Sequence, residues 1–145
     1  MITGFGVYNA KAAQVEYLTS EKIVEVDNLG KKIDQIKDEA LEALKDCENA
    51  HYGEDDGIII FDSNNKASIG EYQFQKDTVI HYEKILNGRD ITRKESVLIA
   101  LDTPKAKKLA HDVIFTTEKG YTNWKICSEK TGLQKTIEIV KKLEE

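Results

Sequence analysis

The sequence predicts an α+β chain, mostly α, with one small β-hairpin inserted after the first long helix. Three observations carry that expectation. Apolar residues recur at helical spacing from Ile33 to Cys47. A short bulky run, Gly57 to Phe61, is followed by turn chemistry and then by Ala67 to Gly70, as in a hairpin. From Phe74 onward, caps and stops divide the chain into consecutive helices.

The elements follow in order. Val15 to Val26 is rich in β-branched and acidic residues in partial alternation, which reads as a strand or an extended lead-in. Asp27-Asn28-Leu29-Gly30 reads as a turn. From Lys31, the residues Ile33, Ile36, Ala40, Leu41, Leu44 and Cys47 line one face of a helix of about four turns. Asn49 to Asp56 breaks that pattern. In the hairpin, Asp62 to Lys66 supplies side chains that satisfy their own backbone and tolerate left-handed conformations. Phe74 to Leu86 reads as a helix ending at Asn87-Gly88. Thr92-x-x-Glu95 is a capping box. Thr103-Pro104 reads as an N-cap followed by proline at the first helical position. Thr122 is expected to cap a short helix that holds Trp124 and Cys127 and stops at Gly132. Leu133, Ile137, Val140 and Leu143 mark a final amphipathic helix.

Length and charge bound the function. A chain of 145 residues suggests a single domain with a core large enough to need no metal or dense disulfide framework. The formal charge is −5, from 26 acids against 21 Lys and Arg, and phosphate binding needs a basic face. Nucleic acid is therefore not an expected partner. No apolar run approaches the ~20 residues of a membrane span. Three histidines and two distant cysteines lack metal-ligand spacing, so neither metal nor cofactor is expected. Residues 1–14 read either as a fraying terminus or as the remnant of an export signal, with Ala10-Lys11-Ala12 in small-x-small form. The two cysteines alone do not decide the compartment. Nothing in the sequence sets the oligomeric state.

Three segments carry the remaining signal. They are Cys47-Glu48-Asn49-Ala50 at a helix end, Gly70-Glu71-Tyr72-Gln73-Phe74 past the hairpin, and Asn123-Trp124-Lys125-Ile126-Cys127-Ser128 near the C-terminus. In that order the set resembles the lysozyme-like superfamily, closest to the catalytic domains of resuscitation-promoting factors and lytic transglycosylases. The resemblance covers residues 31–132. Residues 1–30 and 133–145 have no counterpart in it, and the expected organisation is an N-terminal extended segment over 1–30 followed by a lysozyme-like catalytic domain over 31–145. The family's run is Cys-Glu-Ser-Gly-Gly, whereas here it is Cys47-Glu48-Asn49-Ala50-His51.

The resemblance implies an enzyme that cleaves peptidoglycan glycan strands at the β-1,4 bond between MurNAc and GlcNAc, secreted or in the cell envelope. Glu48 is its general acid. Such an acid must be protonated near neutral pH, which desolvation by Tyr72 or Trp124 would favour. Ser68 stands where lysozymes of the c type resemble this stretch but carry an aspartate. A hydroxyl cannot replace a carboxylate nucleophile, which favours a lytic transglycosylase over a two-carboxylate hydrolase. Asp55, Asp56 and Asp62 are fallback second acids, or solvated turn residues. Gly70 is glycine either for a sugar passing close to the backbone or for a strand-end turn. Gln73 offers an amide for an N-acetyl or hydroxyl group. Tyr72 either stacks on a sugar or joins the core. Phe74 and Trp124 read as core. The resemblance also implies a Cys47–Cys127 disulfide; the alternative is two buried thiols. Two other functional classes stay open: a glycan-binding or structural module without turnover, and a cytosolic helical interaction domain. The net charge sits uneasily with an anionic wall polymer, since long-range attraction would be weak.

Overall fold

The computed structural model describes residues 19–50, 59–61 and 64–145. The chain divides into two compact units, Met1–Gln35 and Ile36–Glu145.

In the first unit, the described residues are helical from Ser20. The helix, α1, runs Ser20–Ala50 and so continues into the second unit. Thr19 starts it: its hydroxyl accepts from the Lys22 backbone N–H at 3.2 Å. The expected strand and turn over residues 20–30 are therefore helix. Ile23, Val24 and Val26 each cost only a few tenths of a kcal/mol in a helix, and Gly30 about 1. Helix formation is cooperative, so a nucleated helix passes through a weak point.

The second unit holds the core. Leu41 and Leu44 of α1 are buried with Ile69, Phe74, Val79, Ala110, Val113, Ile114 and Leu133. A three-stranded antiparallel sheet follows α1 in the chain, with β1 (Ile59–Phe61), β2 (Ala67–Ile69) and β3 (Phe74–Gln75) in that order. Ile59 pairs with Ile69 and Phe61 with Ala67, so the expected hairpin is present. Its turn uses the expected chemistry: Asn65 is left-handed at φ 61° and Asn64 Oδ1 accepts from Lys66 N–H at 3.0 Å. The third strand is a departure, because Phe74 pairs with Ile69 rather than opening a helix. Two residues are too few for a strand period to show.

Helices complete the unit: α2 (Lys76–Asn87), α3 (Arg93–Leu101), α4 (Thr103–Thr116), a 3-10 turn (Gly120–Trp124), α5 (Lys125–Thr131) and α6 (Leu133–Glu144). The Thr92–Glu95 capping box forms in both directions. Asp102, not Thr103, caps α4, accepting from Lys105 N–H at 3.0 Å. A carboxylate one residue upstream outcompetes the threonine, whose hydroxyl is engaged elsewhere. Thr122 also caps nothing; it lies inside the 3-10 turn and its hydroxyl donates to Lys119 O. Gly132 ends α5 in a left-handed conformation, as expected.

Candidate active site

Glu48 lies in the last turn of α1, partly buried. The three sequence segments that are far apart in the chain meet around this helix end. Cys47 and Cys127 form a disulfide that spans 80 residues, with Cα atoms 5.8 Å apart. On the chain-entropy view such a closure contributes about 4 kcal/mol. The pairing implied by the family resemblance is therefore present.

Asn49 makes the second tie. Its side-chain amide donates to Lys45 O at 2.7 Å and to Glu71 O at 3.1 Å. The first bond folds the side chain back onto the helix, at a carbonyl one turn before it. The second holds that turn against residues 70–73. Trp124 makes the third tie, donating from Nε1 to Tyr72 O at 2.7 Å. Its ring meets Phe74 edge-on, with centroids 5.1 Å apart. Both side chains are core, as the sequence suggests.

The turn at residues 70–73 is thus gripped from two elements, α1 and the 3-10 turn, and its own geometry is tight. Gly70 has φ 78°, and a Cβ there would sit 1.9 Å from Ala100 O. Gly70 follows β2 in a left-handed turn, as the strand-end reading has it, and a close backbone approach to α3 is a further requirement for glycine. Gln73 is left-handed at φ 53° and buried. Its backbone N–H and its Nε2 both reach Gly70 O, at 3.0 and 2.8 Å. Glu71 points the other way in chemistry: it is exposed, and Oε2 accepts from the Thr103 hydroxyl at 3.0 Å.

Of the four residues expected to touch substrate, none stands open on the surface. Ser68, Gly70, Tyr72 and Gln73 are all buried. Tyr72 takes the core alternative, fully buried. Its hydroxyl finds no hydrogen-bond partner among the described residues. Burial pushes that hydroxyl well above the ordinary tyrosine range, and the charges of Glu42 and Asp38 add to the shift. Asp55, Asp56, Asp62 and His51 lie outside the described residues.

The helix face leading to Glu48 is charged and paired. Glu42 bonds Lys45 at 2.8 Å, and Lys107 bridges Asp38 and Glu42. The hydrogen bond to Glu42 raises the Lys45 ammonium, with Glu71 and Asp46 contributing charge. Among the described residues, no group of three or more His, Cys, Asp or Glu side chains would hold a metal ion.

Asn49 and Glu71 are the positions that sequence reasoning misses. Asn49 reads there as a mere departure from a small-residue run. A signal exists in hindsight: a side-chain amide one residue before a helix end carries two donors, enough for a carbonyl of its own helix and one of a neighbouring segment. Glu71 has no such signal, because its partner Thr103 is 32 residues away.

Comparison with protein-family models, curated proteins and solved structures finds no match for this chain.

Proposed function

We propose that this chain cleaves peptidoglycan glycan strands at the β-1,4 bond between MurNAc and GlcNAc, as a lytic transglycosylase or muramidase. One observation carries the reading. The three motif segments, 80 residues apart at their extremes, are joined by a disulfide and by the Asn49 and Trp124 hydrogen bonds around the helix end that bears Glu48.

In this reading Glu48 donates its proton to the glycosidic oxygen as the C1–O bond breaks. Positive charge develops at C1 and the ring oxygen. The resulting carboxylate then takes the proton of the MurNAc C6 hydroxyl while that oxygen bonds to C1. The products are a 1,6-anhydro end and a free GlcNAc hydroxyl, and Glu48 regains its proton. If water replaces the C6 hydroxyl, the same proton traffic gives a reducing end. The disulfide suits an oxidising compartment, so the proposed location is secreted or in the cell envelope. Among the described residues, no helix is long and apolar enough to cross a membrane.

A second reading has its own support. The burial of Ser68, Gly70, Tyr72 and Gln73, the residues expected to touch substrate, favours a module that keeps the scaffold without turnover, glycan-binding through other residues or structural. Mass spectrometry of peptidoglycan digests separates the two. The parent protein is expected to release 1,6-anhydro or reducing muropeptides, and Glu48→Gln to release none. Sedimentation with sacculi without product from the parent would replace the enzyme with the binding module.

A further inference from the structure

A second concavity shares no lining residue with the segments around Glu48. Helices α2, α3 and α4 and the residues following α2 enclose about 370 Å³. That is at the small end for a ligand pocket, so it suits a single small molecule rather than a chain.

Its lining is chemically divided. Glu83 is 6% exposed, and its Oε2 accepts no hydrogen bond. It forms an ion pair with Arg89 Nη1 at 3.6 Å, longer than a hydrogen bond, so the oxygen keeps room for a donor. A buried carboxylate oxygen in that position calls for a donor. Lys105, on the same cavity, enters no ion pair among the described residues, whereas Lys108 is held by Asp112 at 2.8 Å. Ile99 and Leu109 supply an apolar wall. An unsatisfied buried acceptor, an uncommitted cation and an aliphatic surface therefore share one small cavity.

We propose that this cavity binds a small aliphatic amino acid as its zwitterion. The ammonium donates to Glu83, the carboxylate meets Lys105 and Arg89, and the side chain lies on Ile99 and Leu109. A simple anion would leave Glu83 unsatisfied and bring like charges together. A simple cation would face Lys105 and Arg89. Only a ligand with both charges answers both ends. The proposal is independent of glycan cleavage, since it uses none of the residues assigned to it.

The test is an NMR titration of the whole protein with racemic alanine, with acetate and methylammonium as half-ligands. Alanine is expected to give saturable shifts at the lining residues. Each half-ligand should bind at least about tenfold more weakly. Glu83→Gln should weaken alanine binding by about tenfold or more. Lys105 is exposed, so Lys105→Ala should fold normally and lose affinity by a similar factor. Absence of saturation by alanine, acetate binding as tightly as alanine, or a Lys105→Ala protein that binds like the parent would each overturn the proposal.

Discussion

The two halves of α1 obey different rules. Residues 20–35 expose Ile23, Val24, Val26 and Leu29 at 40% or more, and bury only Ile33. Residues 36–50 bury Leu41 and Leu44 almost completely and carry one end of the disulfide. The first half is a helix because its end is capped and its interior tolerates weak formers. The second half is a helix because its apolar face has a core to enter. Helical stability in proteins comes chiefly from that second source. The contrast teaches that Glu48 sits in the half of α1 whose apolar face enters the core.

Four substitutions sharpen or break that contrast, in falling order of effect. Replacing both Cys47 and Cys127 by Ala should lower stability by about 4 kcal/mol, read as a drop in the urea midpoint. An unchanged midpoint would mean that packing alone anchors the helix end. Gly70→Ala should cost roughly 3 kcal/mol, because the new Cβ collides with the Ala100 carbonyl and the backbone is left-handed. Thermal unfolding would show it, and a change under 1 kcal/mol would contradict the close approach. Asn49→Ala should cost about 1 kcal/mol by loss of two hydrogen bonds. Hydrogen exchange at residues 45–50 should quicken more than at the core of α4. Gly30→Ala should act in the opposite direction. Among the described residues nothing lies within 4 Å of the added methyl, so helix propensity should stabilise by about 0.5–1 kcal/mol. Circular dichroism should register it as a gain in helicity or in melting temperature.

Legibility in the sequence tracks the range of the interaction. The Thr92 capping box, the Gly132 stop and the Asn64–Lys66 turn are local, and each forms as its residues suggest. The Thr103 reading fails because a neighbouring carboxylate caps better and because Glu71 claims the threonine hydroxyl. The helix over 20–30 is missed because propensity is judged residue by residue, whereas helix formation is cooperative. At the candidate site, the order of the three segments is legible, but what joins them is not. Gly70 meets Ala100, and Trp124 meets Tyr72, across 30 and 52 residues. No periodicity encodes such contacts. The burial of Tyr72 and Gln73 is likewise invisible until the turn that carries them is seen to be gripped on several sides.

The covalent link has one more consequence. It closes a ring of chain that contains the sheet, α2, α3, α4 and the 3-10 turn, leaving outside it most of α1 and all of α6. A protease that cuts once between Cys47 and Cys127 opens the ring but releases no fragment, because the two ends stay bonded. The segment joining Gly88 to Arg93 falls inside this protected span. A single nick there leaves a two-piece molecule of unchanged mass apart from one added water, with Glu48 still attached to the wall of contacts that holds it. Backbone cleavage within this span would then leave the molecule in one covalent piece until the disulfide is also reduced.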